Sequence, residues 1–246
     1  GKNTYVLIAG DRYLKMEQKG AVVDFHCSDT EFLGIWITYF DLDNDYSRYI
    51  DAVNPRDRYL CAAAAKGEGI RILRQDLWEM IVTFLISQQN NISRIRKCIE
   101  ALCTHYGEKK EAPDGTEYYA FPTVSALAAA TEEELRSLGL GYRARYIVST
   151  AKSIDMGEIS LEKIAGMRSC RRARQELMKL CGVCEKVADC ICLFALHHMD
   201  AFPIDTHIHQ VLEKHYKRGF PNRRYRGIRG IMQQYIFYYE LTKDKE

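Results

Sequence analysis

One lysine and one carboxylate in the second half of the chain have the types and spacing that covalent chemistry on a sugar carbon needs. Lys186 and Cys190 are four residues apart, so they share one face of a helix. That face lies about 100° from the apolar stripe that holds Val187 and Ile191. Asp205 follows nineteen residues after the lysine, at a predicted helix start. A lysine amine can form a Schiff base at a sugar carbon while a carboxylate stabilises the positive charge that develops there. Taken singly, the two residues would more often be a surface lysine and a helix cap.

The turn before Lys186 is a candidate anion site. Within residues 180–190, a turn of only a few residues joins two predicted helices, and the second helix is predicted to start at about Cys184. The first-turn N–H groups of such a helix have no partner inside it. They can therefore hold one phosphate of a nucleic acid without reading its sequence.

The formal net charge is only +2, but the basic residues are clustered. Residues 168–179 carry five basic side chains against Glu176, and residues 214–229 carry seven with no acid among them. Such clusters can neutralise phosphates. Charge alone leaves a solvated helix face as an equal alternative.

Composition indicates an ordinary globular protein, with 47% hydrophobic and 28% charged residues in 246. No apolar run reaches the length of a bilayer, and the start lacks a basic-then-apolar signal pattern. The nine cysteines are odd in number, and four crowd together between positions 181 and 192. These features favour reduced thiols and an intracellular protein, in the cytoplasm or nucleoid of a bacterium or the nucleus of a eukaryote.

The apolar pattern predicts two regions of different architecture. Residues 4–27 alternate as three strands of an antiparallel meander, and the pattern becomes helical from Asp41 onward. Asp76 and Asp205 are predicted helix N-caps, Thr131 with Glu134 a capping box, residues 107–116 a surface loop, and 228–241 the last helix. We therefore expect an α+β fold with an N-terminal β region over 1–60 and a helical region over 61–246, with a hairpin at about 170–197.

Five segments, in the same order, resemble the 8-oxoguanine branch of the helix–hairpin–helix (HhH-GPD) DNA glycosylases, and the resemblance covers nearly the whole chain. The segments are 74–76, 90–94, 138–146, 186–190 followed by 203–207, and the pair Gln233 and Phe237. The resemblance implies a mainly helical glycosylase body with a small TBP-like antiparallel sheet before it. It also implies a monomer that acts on double-stranded DNA containing an oxidised guanine, with no membrane and no cofactor.

The implied activity is that of a bifunctional glycosylase and AP lyase in base-excision repair. It would excise 8-oxoguanine, preferably opposite cytosine, through a Schiff base on Lys186, and then nick the strand by β-elimination. Asp205 would be the electrostatic partner of the lysine. The family flips the target nucleotide out of the duplex, and the matching positions place Phe237 and Cys190 on the two faces of the base. Gln233 would bind its Watson–Crick edge.

The other matching positions imply contacts with DNA. Tyr142 would fill the gap left by the flipped base, while Arg143 and Arg94 would face the orphan cytosine. The further implied DNA contacts are Gln89, Asn90, Gly182, Cys184 and His207. The carbonyls of Met178, Leu180 and Val183 match positions that can hold a monovalent cation bridging to phosphate.

The sequence departs from the family pattern at three places. Where the family hairpin reads Leu-Pro-Gly-Val-Gly, Cys181 replaces the proline and Cys184 the second glycine, so we expect a weaker DNA grip or a distorted turn. Gln89 stands where human-type members have asparagine. No residues match the N-terminal strand whose glycine carbonyl recognises the N7 hydrogen of 8-oxoguanine, so either the chain is truncated or its lesion discrimination is weakened.

Three alternatives compete with this hypothesis. A metal site is suggested by the C-x2-C spacing of Cys181 and Cys184, but Cys190 and Cys192 lie two apart and point to different sides of a helix. No transition metal is therefore expected. A non-catalytic DNA-binding module would not need Lys186 or Asp205. A glycosylase for alkylated or mismatched adenine stays open, although the alkylbase relatives commonly lack the lysine.

Overall fold

The computed structural model describes residues 3–243 and begins with an antiparallel sheet. Strands β1 (Thr4–Ala9), β2 (Arg12–Lys19) and β3 (Val22–His26) pair in the order β1-β2-β3. This confirms the predicted meander. The turn after β1 ties the sheet to the helical body, because the Gly10 N–H donates to the Glu79 carboxylate at 2.9 Å. The Gly10 carbonyl accepts the Phe121 N–H at 2.8 Å.

Helical structure starts earlier than the predicted onset at Asp41, which was wrong. Three consecutive pieces are α1 (Asp29–Glu31), a π-helical turn (Phe32–Trp36) and α2 (Ile37–Tyr39). Ser28 caps this run by accepting the Glu31 N–H at 3.2 Å. The run packs onto the sheet, since the Phe25 ring lies 5.5 Å from that of Phe40. This aromatic contact explains why a segment rich in β-formers is helical here.

Twelve more α-helices follow within residues 40–243. They are α3 (Ser47–Asp51), α4 (Arg58–Lys66), α5 (Leu77–Ser87), α6 (Ile92–Tyr106), α7 (Val124–Ala129), α8 (Glu132–Leu135), α9 (Arg143–Asp155), α10 (Leu161–Ala165), α11 (Cys170–Leu177), α12 (Glu185–Phe194), α13 (Thr206–His215) and α14 (Arg229–Thr242). A second π-helical turn, Arg136–Leu140, follows α8. The predicted N-caps Asp76 and Asp205 and the predicted Thr131–Glu134 capping box are confirmed. The last helix also lies within one residue of its predicted bounds.

The predicted surface loop at 107–116 is partly a hairpin. Strands β4 (Lys109–Glu111) and β5 (Glu117–Tyr119) pair antiparallel around the turn at Gly115. The β4–β5 hairpin contacts the turn between β1 and β2, because Lys110 Nζ lies 2.9 Å from the Asp11 carboxylate and the Tyr118 hydroxyl donates to the Asp11 carbonyl.

The core lies between the helices that carry the candidate site. Helix α12 packs between α5 and α11, and Ile81, Leu85, Val187 and Ile191 are fully buried where the helices meet. Within residues 3–243, no helix has the length and apolar character to cross a membrane.

A buried carboxylate ties the N-terminal helices to the chain after α12. Asp41 is 3% exposed and accepts hydrogen bonds from Arg74 Nε and the Tyr46 hydroxyl, both at 2.9 Å. His197 Nε2 lies 3.3 Å from the same carboxylate. Burial raises the pKa of Asp41, but the hydrogen bonds from Arg74, Asn44 and Tyr46 outweigh it and hold the pKa below its usual value.

Candidate active site

The hairpin between α11 and α12 is a tight turn closed by backbone hydrogen bonds. Val183 donates its N–H to the Leu180 carbonyl at 3.2 Å, and Ala188 donates to the Cys184 carbonyl at 2.9 Å. Gly182 has a φ of +80°, and a Cβ there would lie 2.4 Å from Cγ of Tyr146. The position therefore needs glycine for both its conformation and its space.

Cys184 is the exposed N-cap of α12, at the position where the family has its second glycine. Its φ of −85° and ψ of 173° are extended values that any residue adopts, so the backbone needs no glycine there. The cysteine side chain makes no capping hydrogen bond. The side chain therefore does not occupy the first-turn amides of α12, and a phosphate bound at these amides stays a prediction.

Lys186 and Asp205 line one cleft of about 670 Å³. We call it the lysine–aspartate cleft; its other lining residues include Gln88, Gln89, Cys184, His209 and Gln210. Lys186 is half-buried, and its Nζ lies 5.9 Å from the centre of the Phe84 ring. Asp205 is half-buried at the start of α13, where its Oδ1 accepts the Ile208 N–H at 2.8 Å.

Phe84 is a site residue that the sequence analysis missed. Its ring stacks on that of Phe194, with centroids 5.7 Å apart and an angle of 21° between planes. The two rings form an apolar surface next to the lysine amine, and the 5.9 Å from Lys186 Nζ to the Phe84 ring centre is the outer limit of a cation–π contact. Only the tertiary packing of α5 on α12 brings the rings together, so the sequence pattern carried no signal for it.

Cys190 shares the helix face of Lys186, as predicted, and is 4% exposed. Burial raises the pKa of its thiol to about 12, while Lys186 lowers it and Asp205 raises it. The thiol is therefore protonated at neutral pH and acts as a weak donor or an apolar surface.

Of the residues predicted for the base pocket, Gln233 is buried and Phe237 is half-buried in this structure. Gln233 is 3% exposed, its Nε2 donates to the Pro203 carbonyl at 3.0 Å, and its Oε1 accepts from Gln234 at 2.6 Å. Phe237 is half-buried, with its ring 6.3 Å from that of His207, which is exposed. Among the described residues that line the lysine–aspartate cleft, none belongs to the predicted trio of Cys190, Gln233 and Phe237.

Five residues predicted to contact DNA lie together on a second surface. We call it the opposite-base face, because the family resemblance implies that Arg94 and Arg143 face the orphan cytosine; its residues are Gln89, Asn90, Arg94, Tyr142 and Arg143. Tyr142 is 45% exposed, whereas Arg143 is 4% exposed. The Arg143 guanidinium donates to the Gln88 carbonyl from Nε at 2.9 Å and also from Nη2. Nη2 donates at 2.9 Å to the carbonyl of Gln89, a residue with a φ of +47°.

Arg94 and Asn90 complete the opposite-base face from α6 and the preceding turn. Arg94 is exposed and donates to the Gly139 carbonyl at 3.2 Å. Asn90 is half-buried and donates to the Ile86 carbonyl at 3.0 Å. Both side chains thereby donate to backbone carbonyls.

Gln88 is a second site residue that the sequence analysis missed. Its Nε2 donates to the Gly182 carbonyl at 3.0 Å, and so joins the end of α5 to the hairpin turn. In the sequence it is one of four polar residues in a break between two helices, and nothing local sets it apart from Gln89.

An arginine clamps the two helices of the hairpin beside the lysine. Arg174 Nη1 lies 2.8 Å from the Glu185 carboxylate and 3.4 Å from that of Asp189. Asp189 is 8% exposed, and burial raises its pKa against the opposing effect of Arg174. These residues line a second cleft of about 690 Å³ on the other side of Lys186.

The cysteines near the site are free thiols. Cys192 is fully buried, and its Sγ lies 3.9 Å from the Cys170 carbonyl as a donor. Within residues 3–243, no three His, Cys, Asp or Glu side chains are grouped so that they could hold a metal ion.

The chain belongs to the helix–hairpin–helix superfamily of base-excision DNA repair proteins. The family model described as "HhH-GPD superfamily base excision DNA repair protein" matches residues 82–235. A second model, "8-oxoguanine DNA glycosylase, N-terminal domain", matches residues 1–81. The family predicted from the five sequence segments is confirmed, and so is the α+β fold with a small N-terminal sheet.

Two curated relatives and one solved structure show how similar the chain is to characterised members. An N-glycosylase/DNA lyase of Saccharomyces cerevisiae is 34% identical over 220 residues, which are 83% of this chain and 58% of the relative. An N-glycosylase/DNA lyase of Arabidopsis thaliana is 34% identical over 205 residues, 76% of this chain and 52% of the relative. The chain thus spans little more than half the length of these relatives.

The solved structure is the Clostridium acetobutylicum 8-oxoguanine glycosylase/lyase in complex with double-stranded DNA containing cytosine opposite 8-oxoguanine. It superposes with a TM-score of 0.91 at 36% identity. The match covers 98% of this chain and 86% of the Clostridium chain.

Proposed function

We propose that the chain is a bifunctional DNA glycosylase and AP lyase that excises 8-oxoguanine, preferably opposite cytosine, with Lys186 as its nucleophile. The observation that carries the proposal is the convergence of Lys186 and Asp205 in one cleft beside the hairpin. A DNA-binding module needs the hairpin alone, and a glycosylase that only activates water needs no lysine. The Clostridium 8-oxoguanine glycosylase/lyase, which is 36% identical to this chain, supports the substrate class.

The first step would exchange one bond at the sugar for another. The unprotonated Lys186 Nζ attacks C1′, the N-glycosidic bond breaks, and the base leaves with the bonding electrons and takes up a proton. The Asp205 carboxylate faces the positive charge that develops on the sugar. Its position is fixed because the same side chain caps α13 through Ile208.

The lyase step would follow from the bond to Lys186. The N,O-acetal at C1′ opens to a Schiff base as the C1′–O4′ bond breaks and O4′ takes up a proton, and the Schiff base acidifies the C2′ protons. Loss of one such proton and cleavage of the C3′–O bond then release the strand on the 3′ side as a phosphate. Hydrolysis of the remaining imine would return the lysine amine.

Phosphate contacts would supply most of the binding free energy. We place one phosphate on the first-turn amides of α12, with Gly182 and Cys184 at the turn and His207 at a neighbouring phosphate. A monovalent cation on the carbonyls of Met178, Leu180 and Val183 would bridge the hairpin to DNA. Six exposed basic residues in the last turn of α13 and in the chain after it extend this surface: Lys214, Lys217, Arg218, Arg223, Arg224 and Arg226.

Entry of the base would require a local rearrangement. Phe237 and Cys190 would cover the two faces of the base, and Gln233 would bind its Watson–Crick edge. The Gln233 amide is 3% exposed and hydrogen-bonded to Pro203 and Gln234, so the surrounding side chains must move before a base can reach it. We further propose that the enzyme acts as a monomer.

A single-turnover cleavage assay tests the proposal. Duplexes with 8-oxoguanine opposite cytosine or adenine are compared with duplexes that contain an alkylated adenine or only normal bases. Base release and strand nicking with 8-oxoguanine opposite cytosine are expected to be fastest. Release of alkylated adenine without nicking would replace the proposal with the alkylbase class. Duplex binding without base release would leave a DNA-binding module.

A further inference from the structure

Gln88 connects the hairpin that carries Lys186 to the opposite-base face, two surfaces that would bind opposite strands of the duplex if the proposed function holds. Its side chain donates to the Gly182 carbonyl in the hairpin, and its own carbonyl accepts from Arg143 and, at 3.4 Å, from the Tyr142 hydroxyl. We infer that Gln88 is a positioning residue that transmits the contact with the base opposite the lesion to the hairpin that carries Lys186. This inference rests on the proposed function and deepens it.

The Arg143 end of the connection is fixed by burial and by paired carbonyls. Arg143 is 4% exposed, and its guanidinium holds the consecutive carbonyls of Gln88 and Gln89. Gln89 has a φ of +47°, an uncommon conformation that turns its carbonyl toward the same arginine. Within residues 3–243, no hydrogen bond uses Nη1 of Arg143, so its two N–H groups remain for a base.

A displacement of Arg143 toward a base would therefore move the backbone of Gln88. Gln88 is the C-cap of α5, and its φ of −61° and ψ of 126° are extended values, so the chain leaves the helix at this residue. Its side chain is half-buried against the hairpin, so a shift of the Gln88 backbone reaches Gly182 through one hydrogen bond.

The hairpin end of the connection has little free space. Gly182 packs so closely on Tyr146 that no side chain fits, and the Tyr146 ring meets that of Tyr142 edge-on at 5.6 Å. The hairpin is thus connected to the opposite-base face twice, through the hydrogen bonds of Gln88 and through the Tyr146 ring that packs between Gly182 and Tyr142. Lys186 lies four residues after Gly182, and nucleophilic attack is sensitive to misplacement on the ångström scale.

The inference predicts a specific change in discrimination between opposite bases. Gln88→Met keeps the length of the side chain and removes the N–H donor, while the backbone carbonyl still binds Arg143. The single-turnover rate for 8-oxoguanine opposite cytosine is expected to fall about 3- to 10-fold, the effect of one lost hydrogen bond. The rate opposite adenine should change less, because an adenine engages Arg143 poorly in either protein. The cytosine-to-adenine rate ratio should therefore fall.

Gln18→Met is the matched control. Gln18 also donates its Nε2 to a glycine carbonyl, that of Gly20 at 3.2 Å, but on the N-terminal sheet. Its substitution should leave both rates and their ratio unchanged. Gln88→Glu, which has the same shape and lacks the donor, provides a second test if Gln88→Met unfolds, and thermal melting of each variant checks folding.

An unchanged ratio in folded Gln88→Met and Gln88→Glu, whether both rates fall equally or neither changes, would overturn the inference and leave the proposed function intact. A wild-type protein that excises nothing from either duplex would overturn the proposed function and this inference together. A lower ratio in both Gln88 variants, with Gln18→Met at the wild-type value, would support the positioning role.

Discussion

Asp205 accepts the backbone N–H of Ile208 at 2.8 Å, so the carboxylate that shares a cleft with Lys186 is also the N-cap of α13. Structural and chemical roles therefore meet in one side chain. Asn and Asp cap helices about equally well, whereas only the ionised aspartate can stabilise positive charge on a sugar. Substitution can therefore separate the two roles.

Asp205→Asn should keep the stability of the protein and lose most of its activity. We expect the free energy of unfolding to change by less than about 0.5 kcal/mol, and the excision rate to fall on the order of 10²-fold. Asp205→Ala should lose the activity and also about 1 kcal/mol of stability. Denaturant unfolding and single-turnover excision measure the two quantities.

Asp76 provides the control for the capping role. Its Oδ1 accepts the Glu79 N–H at 2.8 Å at the start of α5, and it lines neither cleft beside Lys186. Asp76→Ala should cost about 1 kcal/mol of stability with no loss of excision. Near-wild-type excision by Asp205→Asn would contradict the electrostatic role of Asp205.

Gly182→Ala should destabilise the hairpin. The substitution places a Cβ at a φ of +80° and 2.4 Å from Tyr146, so we expect a loss of at least about 2 kcal/mol in unfolding free energy. Duplex affinity should fall with it. Gly115→Ala is the control, since its φ is +81° but its Cβ meets nothing within 4 Å. If the free energy of unfolding falls no more in Gly182→Ala than in Gly115→Ala, the Tyr146 ring moves aside to accept the Cβ, which would contradict the expected effect of close packing.

Arg174→Ala should leave a buried carboxylate without its cation. Asp189 is 8% exposed and lies 3.4 Å from Arg174, so we expect the free energy of unfolding to fall by about 2 kcal/mol at neutral pH. Burial raises the pKa of Asp189 and Arg174 opposes that rise. Because removal of Arg174 raises this pKa further, the loss should grow as pH increases from acid toward neutral.

A second substitution checks the origin of that loss. Arg174→Ala combined with Asp189→Asn should recover most of the lost stability, because the amide carries no charge to bury. Arg171→Ala, at an exposed arginine on the same helix, should change stability by less than about 0.5 kcal/mol. Equal losses in Arg174→Ala and the double variant would mean that packing, not charge, accounts for the effect.

Glu79 should make stability depend on pH. Burial raises its pKa from 4.5 to about 7 in the folded protein, although the Gly10 N–H lowers it. Between those two values the folded state keeps a proton that the unfolded state has released, so this residue lowers stability as pH rises through that window. The full shift corresponds to at most about 3 kcal/mol.

Glu79→Gln should remove this pH dependence and keep an oxygen for the Gly10 N–H. The variant is expected to be more stable than wild type at pH 8, by on the order of 1–3 kcal/mol, and about equal at pH 4. Urea unfolding at the two pH values measures the difference. Glu100→Gln is the control, because Glu100 is an exposed carboxylate that lines the same cavity of about 260 Å³ as Glu79, and it should show no such change. A variant less stable than wild type at pH 8 would contradict the burial argument.

The features that sequence predicted well are set by neighbours in the chain. Asp76, Thr131 and Asp205 were recognisable as caps because each cap accepts an N–H three residues ahead. The same signal stands at Ser28 and Glu31, and it would have corrected the helix onset that was placed at Asp41. It was obscured by the aromatic run that follows, whose helical form depends on packing against Phe25.

The features that sequence did not predict depend on tertiary contacts. Gln88 and Gln89 are identical neighbours in the sequence, yet only the folded hairpin brings Gly182 to the side chain of Gln88. The contact of the Phe84 ring with Lys186 likewise requires α5 to pack on α12. Conversely, the expected distortion at Cys184 rested on the family's glycine, whereas the local backbone has a φ of −85° that accepts a cysteine.

Borohydride trapping tests the central claim most directly. A duplex with 8-oxoguanine opposite cytosine is incubated with wild-type protein, Lys186→Gln and Lys163→Gln, the last at an exposed lysine of α10, and each imine is reduced. A covalent protein–DNA adduct is expected with wild type and Lys163→Gln, absent from Lys186→Gln, and located at Lys186 by peptide mapping. An adduct of undiminished yield with Lys186→Gln would contradict the assignment of the nucleophile. If wild-type protein forms an adduct neither with this duplex nor with a duplex that contains an abasic site, that result would contradict the lysine chemistry itself.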